Sequence, residues 1–400
     1  MDPVRNPYAP GAGQRPPELA GRDHELRQFE VTLERVAAGR PERSMVLSGL
    51  RGVGKTVLLN ALRSVAVKRA WGTGKIEARP EQSLRLPLAQ ALHTAVREVG
   101  HRHRDPERVD AVAGVLKSFA LQTRVEDRRS SRWQPALSIG TDVAAIKGRA
   151  DSGDLELDMI ELFTDVADLA GDLGVGIALF IDEMQDVAVP ELGALCGACH
   201  EISQQGAPLV VVGAGLPHLP VTLATSKSYA ERLFRYVSVD RLPREMADRA
   251  LLVPAGSENV DYERAALDEL YRLTDGYPYF VQAYGKVTWD VALGTPIRLA
   301  DVQEAAPEAE GELATGFFGA RYDRATPAER DYMRAVAMLG ANNEDGSVTT
   351  AQVGDSLGRR PQSLSPARDG LIKKGLIYSS ERGTVAFTVP HFGQFLRQRN

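Results

Sequence analysis

The chain has 400 residues, 43% of them hydrophobic and 25% charged, with a formal charge of −5. This is the profile of a globular protein with enough chain for two or three domains, and its slight acidity argues against a surface given over wholly to nucleic acid, although a local basic patch is compatible with it. No uninterrupted apolar run approaches the ~20 residues of a membrane span, the N-terminal residues lack the apolar core of a signal peptide, and two cysteines make no disulfide framework, so a cytoplasmic protein is expected.

Residues 1–17 hold Pro3, Pro7, Pro10, Pro16 and Pro17 with Gly11 and Gly13. This predicts an extended tail, laid along the first domain or disordered. A short turn over 19–26 leads into Phe29, Val31, Leu33 and Val36 at mostly helical spacing.

The stretch 44–60 organises the chain. Met45, Val46 and Leu47 form a short apolar strand. Gly49-Leu50-Arg51-Gly52-Val53-Gly54-Lys55-Thr56 follows, and Val57, Leu58, Leu59, Ala61 and Leu62 continue as a helix. Strand, glycine-rich loop and helix make a P-loop. The glycines let the backbone curl its N–H groups around phosphate oxygens, and the helix N-terminus adds partial positive charge. Lys55 is placed to reach the outer phosphates, and the Thr56 hydroxyl to hold Mg²⁺. Binding of a nucleoside triphosphate is expected.

Beyond the loop, 75–79 reads as a short strand and 84–99 as an amphipathic helix. Residues 101–150 carry ten basic and six acidic residues around one helical stretch, 112–119, and an alternating stretch, 137–143. A solvated surface insertion over 101–155 is the expectation, with a partner or nucleic-acid loop as the alternative. A helix over 158–169 precedes Ile177-Ala178-Leu179-Phe180-Ile181, an apolar run fit for a buried parallel strand. It ends in Asp182-Glu183. A helix over 191–205, a strand over 208–212 running into Gly213-Ala214-Gly215, and a strand over 236–239 complete an alternating pattern, which implies a parallel sheet. From 243 to 322 the pattern is helical, over 244–252, 262–274, 278–292 and 299–318.

An apolar strand ending in Asp-Glu supplies what a P-loop requires opposite it. Asp182 is expected to hold Mg²⁺ and Glu183 to orient and polarise the attacking water. Cys196-Gly197-Ala198-Cys199-His200 spells a c-type haem attachment motif, but Leu192, Leu195, Cys196 and Cys199 recur at the spacing of a helical core face, so packing is expected and haem is not.

In 325–400, ten basic and seven acidic residues give +3, against −8 for the rest. Thr326-Pro327-Ala328-Glu329 is a helix start, and helices through 339, from 349/350 to 357 and over 362–374 follow. The stretches 376–379 and 385–389 flank a turn and predict a β-hairpin. This order looks like a winged helix. Arg359, Arg360, Gln362, Ser363 and Arg368 cluster at the turn and third helix, with Arg382 on the hairpin. They are candidate contacts to double-stranded DNA, and a surface for a protein partner is the alternative.

The turn at 19–26, the loop Gly49–Thr56 and Ile181-Asp182-Glu183-Met184-Gln185 together resemble the AAA+/STAND group of ATPases, particularly initiator-like members with a C-terminal winged helix. The resemblance implies a P-loop α/β core over 18–242, a helical lid over 243–322, a winged helix over 323–400, and ATP or ADP with Mg²⁺ as ligands. It puts Gly21 and Arg22 beside the adenine, and Gly276-Tyr277-Pro278 in the lid, with Pro278 near the base. Two departures point to slow hydrolysis. The strand after Asp182-Glu183 ends in small apolar residues where the group carries a polar sensor, and the lid motif contains no arginine. Arg232 or Arg235 is then a candidate arginine finger acting on a neighbouring copy in a homo-oligomer. The leading expectation is an ATP-dependent switch that contacts DNA; the alternative is a nucleotide-binding scaffold for protein partners.

Overall fold

A computed structural model describes residues 1–11, 13–103, 106–122, 143–343, 346–379 and 383–399. The apolar runs pair as a five-stranded sheet: β1 (Ser44–Ser48), β2 (Gly72–Glu77), β3 (Ile177–Asp182), β4 (Leu209–Gly215) and β5 (Phe234–Ser238), in the order β2-β3-β4-β1-β5. Every pair is parallel. β3 and β4 are buried along their whole length, as continuous apolar strands covered by helices on both faces must be. Strand β2 begins three residues before its predicted start because Gly72 and Gly74 give no apolar signal. Register brings Ser48 beside Gly215 and Asp182 beside Glu77, so the loop after β1 and the acidic end of β3 share one sheet edge.

On the first helix, Asp23–Ala37, Phe29, Leu33 and Val36 are buried, whereas Val31 faces outward. The expectation of a solvated insertion fails for helix Pro106–Leu121. Val112, Leu116 and Phe119 enter the core beside helices Arg85–His103 and Leu155–Asp172, and Arg85 pairs with Asp158 there at 3.0 Å. The stretch 123–142, with most of the predicted alternating segment, lies outside the described residues. Cys196 and Cys199 are buried in helix Val189–Gln205, and burial pushes both thiols up, Cys196 to about 11.

Four helices follow the sheet: Arg244–Ser257, Arg264–Thr274, Pro278–Val291 and Leu299–Glu312. The last was expected to run to 318. It gives way to a π-helical stretch, Leu313–Gly319, which changes the helical phase and sends successive aromatics to different neighbours. Phe317 stacks on Tyr279 at 4.7 Å, while Phe318 stacks on Phe395 at 5.2 Å. The N-terminal tail lies on these helices. Asn6 donates to Lys286 O and Asp290, Trp289 donates to Asp2 O, and the buried Tyr8 hydroxyl donates to Leu251 O.

The C-terminal residues form helices Pro327–Leu339, Thr350–Ser356 and Pro361–Lys373 with a small antiparallel sheet: β6 (Val348–Thr349), β7 (Ile377–Tyr378) and β8 (Thr384–Phe387), ordered β6-β8-β7. A closing helix, Phe392–Gln398, buries Phe392 and Leu396. No helix among the described residues is long and apolar enough to cross a membrane.

Candidate functional site

The loop leaves β1 at Gly49, whose N–H donates to Gly215 O, and passes so close to the exit of β5 that a Cβ at Gly49 would lie 2.1 Å from Val239 O. Gly52 and Gly54 turn the chain through left-handed conformations, φ 88° and 90°, that favour glycine. Helix Lys55–Lys68 starts there, with its first amides open to an anion. Lys55 is buried, and its Nζ donates to Gly49 O at 2.8 Å and Leu50 O at 2.7 Å. Burial pushes its ammonium down to about 8. The charge of Arg51 adds to this, while Glu183 and Asp182 oppose it.

Asp182 is 5% exposed, accepts a hydrogen bond from the Glu183 N–H at 3.0 Å and has the Thr56 hydroxyl close by. Burial raises its carboxyl despite those two groups. A hydroxyl and a carboxylate brought together at a phosphate-binding loop are a donor set that suits Mg²⁺, which takes one or two protein oxygens and completes its shell with water and phosphate. Thr56 and Asp182 would hold it.

Glu183 is a non-glycine residue at φ 49°, a conformation that persists only where the surroundings impose it. Its carboxylate accepts from Gln185 Nε2 at 2.6 Å and faces Arg51 Nη2 at 3.9 Å. The other end of the Gln185 amide accepts from Leu216 N–H at 3.1 Å. Gln185 therefore spans from Glu183 to the end of β4, where no polar side chain was found in the sequence. A Cβ at Gly215 would lie 2.8 Å from Gln185 Oε1, so the glycine makes room for this bridge. Burial, then the Glu183 charge, raises the nearby Asp186 carboxyl to about 6.

A cleft of about 420 Å³ opens over the loop. Arg51, Gly52, Gly54, Lys55, Thr56, Val57 and Glu183 form its floor, and Pro278, Tyr279, Phe317 and Arg321 its far wall. Tail residues Pro10, Gly13, Gln14 and Pro16 close one side. The helical segment is fastened to the loop directly, since Tyr279 N–H donates to Gly52 O at 3.3 Å. The C-terminal unit is fastened too, since Arg51 N–H donates to Thr388 O at 2.9 Å. Arg22 is buried behind the loop and donates to Val53 O at 3.3 Å and Asp240 O at 2.6 Å. With Pro278 and Gln282 it lines a smaller hollow continuous with the loop residues Val53, Gly54 and Val57. Gly21 adjoins it at φ 70°, with Met246 Cγ 3.0 Å from the place of a Cβ.

The structure thus brings Gly49–Val57, Asp182, Glu183, Arg22 and Pro278 to one place. Arg232 is not among them: it is exposed on the one-turn helix Ala230–Leu233 and does not line this chain's cleft. Arg359, Arg360, Gln362 and Ser363 are exposed together at the start of helix Pro361–Lys373. Arg368 is half-buried and paired with Asp369 at 3.0 Å. Arg382 lies outside the described residues. Sequence reasoning missed Gln185, the tail wall and Arg321. The only signal for any of them is the polar Gln185, two residues after Glu183.

Sheet order, loop and acidic strand end define a P-loop NTPase of the AAA+ fold. Residues 18–212 match the AAA ATPase domain family, so the chain carries an AAA+ ATPase nucleotide-binding domain. Residues 315–396 match a domain of unknown function (DUF8462). Among solved structures, a Walker-type ATPase of Pyrococcus abyssi is 17% identical, with a TM-score of 0.57 over 96% of this chain and 97% of that one. The ORC2 protein of Aeropyrum pernix, in its ADP form, is 14% identical with a TM-score of 0.52, over 97% of each chain. Among curated protein sequences there is no match.

Proposed function

We propose that this chain is an ATP-dependent switch of the STAND type, with slow hydrolysis, that contacts double-stranded DNA through a C-terminal winged helix. One observation carries the reading: the phosphate-binding loop is bonded at Gly52 to the helical segment and at Arg51 to the C-terminal unit. A ligand that orders this loop therefore acts on both. The units are a tail over 1–17, the ATPase core over 18–242, a lid over 243–322 and the winged helix over 323–400.

In this reading the loop amides and Lys55 bind the phosphates of ATP or ADP, and Pro278 and the hollow beside Gly21 and Arg22 take the base. Mg²⁺, held by Thr56 and Asp182, supplies charge neutralisation for phosphoryl transfer. Glu183 orients water and accepts its proton. Slow turnover is supported by the pairing of Glu183 with Arg51 at 3.9 Å, and by a β4 end that offers Gln185 only a backbone N–H. Arg232, exposed and unused in this chain's own cleft, remains a candidate finger for a neighbouring copy. DNA contact is supported by the exposed cluster Arg359, Arg360, Gln362 and Ser363 at a helix start.

Lys55→Ala should abolish nucleotide binding, and Glu183→Gln should retain ATP without hydrolysing it. Wild-type turnover in the glutamine variant would remove Glu183 from its role. Arg359→Ala/Arg360→Ala should weaken duplex binding and flatten its salt dependence. Unchanged affinity at low salt would favour a scaffold for protein partners instead.

A further inference from the structure

Three cationic side chains, Arg51, Lys55 and Arg321, line the cleft with one carboxylate, Glu183. That carboxylate is already engaged by Gln185 and Arg51. The Nε atoms of Arg51 and Arg321 are both buried without a hydrogen-bond partner among the described residues. A guanidinium buried for structural reasons is ordinarily paired, because an unmet charged donor is costly. Among the described residues Arg321 instead donates only to Phe317 O within its own turn, and it lies 4.1 Å over the Phe317 ring. Burial, then the charges of Arg51 and Arg324, push its guanidinium down to about 10. Like charges held together in a cleft with open donors form a site that a polyanion completes.

Resting on the nucleotide reading above, we propose that Arg321 is a phosphate-contacting residue supplied by the joint between the helical segment and the C-terminal unit. It belongs neither to the loop, nor to the acidic strand, nor to Gly276-Tyr277-Pro278. It follows the π-helical stretch Leu313–Gly319, whose Phe317 packs on Tyr279 above the loop and whose Phe318 packs on the closing helix. Phosphate bound between Lys55 and Arg321 therefore pulls on the one segment that joins the lid helices to the C-terminal unit.

The test uses the full chain with Mg·ADP and Mg·ATP, comparing wild type, Arg321→Gln, Arg321→Lys and Lys55→Ala by calorimetric binding and by melting temperature. Arg321→Gln should weaken both nucleotides by about tenfold or more, the loss expected for a charge-assisted hydrogen bond. Its ligand-free melting temperature should be unchanged or higher, because a half-buried cation with no carboxylate partner among the described residues has been removed. Arg321→Lys should recover part of the affinity. A residue that merely held the fold together would lower the ligand-free melting temperature instead, and that result overturns the proposal. Wild-type affinity in Arg321→Gln, alongside lost binding in Lys55→Ala, overturns it alone. A wild-type protein that binds neither nucleotide overturns the nucleotide reading with it.

Discussion

At the scale of single residues, the site is governed by how few partners its charges have. Lys55 titrates near 8 when the cleft holds only protein, because burial removes the ammonium from water faster than Asp182 and Glu183 restore its stability. Its pKa on folding falls below the unfolded value of ~10.4. The folded protein therefore binds fewer protons between those values, and this group makes stability rise with pH across that window. Phosphate reverses the balance by favouring the charged form. Nucleotide affinity should thus fall as pH rises above about 8, with proton uptake on binding at pH 9. Calorimetry in two buffers of different ionisation heat checks this, and equal apparent enthalpies would contradict it. Gln185 makes a second prediction. It holds the Glu183 carboxylate in place, so Gln185→Ala should reduce turnover by roughly tenfold, about the value of one hydrogen bond to a charged group, with little change in nucleotide affinity. Steady-state ATPase rates beside titrations separate the two effects.

Elements explain where the sequence was legible. The loop and the strand ending in Asp182 are local patterns whose neighbours are fixed by parallel pairing, so their approach follows from chain order and sheet register alone. Arg321 lies 270 residues from Arg51, in a stretch where helical periodicity is interrupted by π turns, and no pattern of spacing could bring the two together. Charge counting misled over 106–121, because Arg108 and Lys117 are only two residues of a helix whose Val112, Leu116 and Phe119 are core. Capping, by contrast, reads directly. Thr326 accepts from Glu329 N–H, Thr326 N–H donates to Glu329, and Lys374 also donates to that carboxylate at 2.6 Å. Thr326→Ala should cost about 1 kcal/mol, measured by denaturant unfolding. Gly276 sits at φ 69° with Leu242 O 2.3 Å from the place of a Cβ. Gly276→Ala should therefore move helix Pro278–Val291, and with it Tyr279, away from the loop, lowering both stability and nucleotide affinity.

Across the whole molecule, the C-terminal unit is an extension of the phosphate site rather than an appendage. Thr388 touches Arg51, the aromatic cluster of Phe318, Phe392 and Phe395 continues inward to Phe317, and Phe317 rests on Tyr279 beside Gly52. Hydrogen exchange should accordingly report nucleotide at a distance. Peptides covering 375–379 and 384–392 should gain or lose protection with Mg·ADP, and exchange confined to the loop would show that the contacts transmit nothing.

The tail adds a property that affinity does not describe. Gly13 lies against Thr56, and Tyr8, buried against helices Arg244–Ser257 and Pro278–Val291, moors the strip that walls the cleft. Tyr8→Ala should therefore shorten the lifetime of bound nucleotide, read by chasing labelled Mg·ADP with excess unlabelled nucleotide, and an unchanged dissociation rate would show that the tail retains nothing.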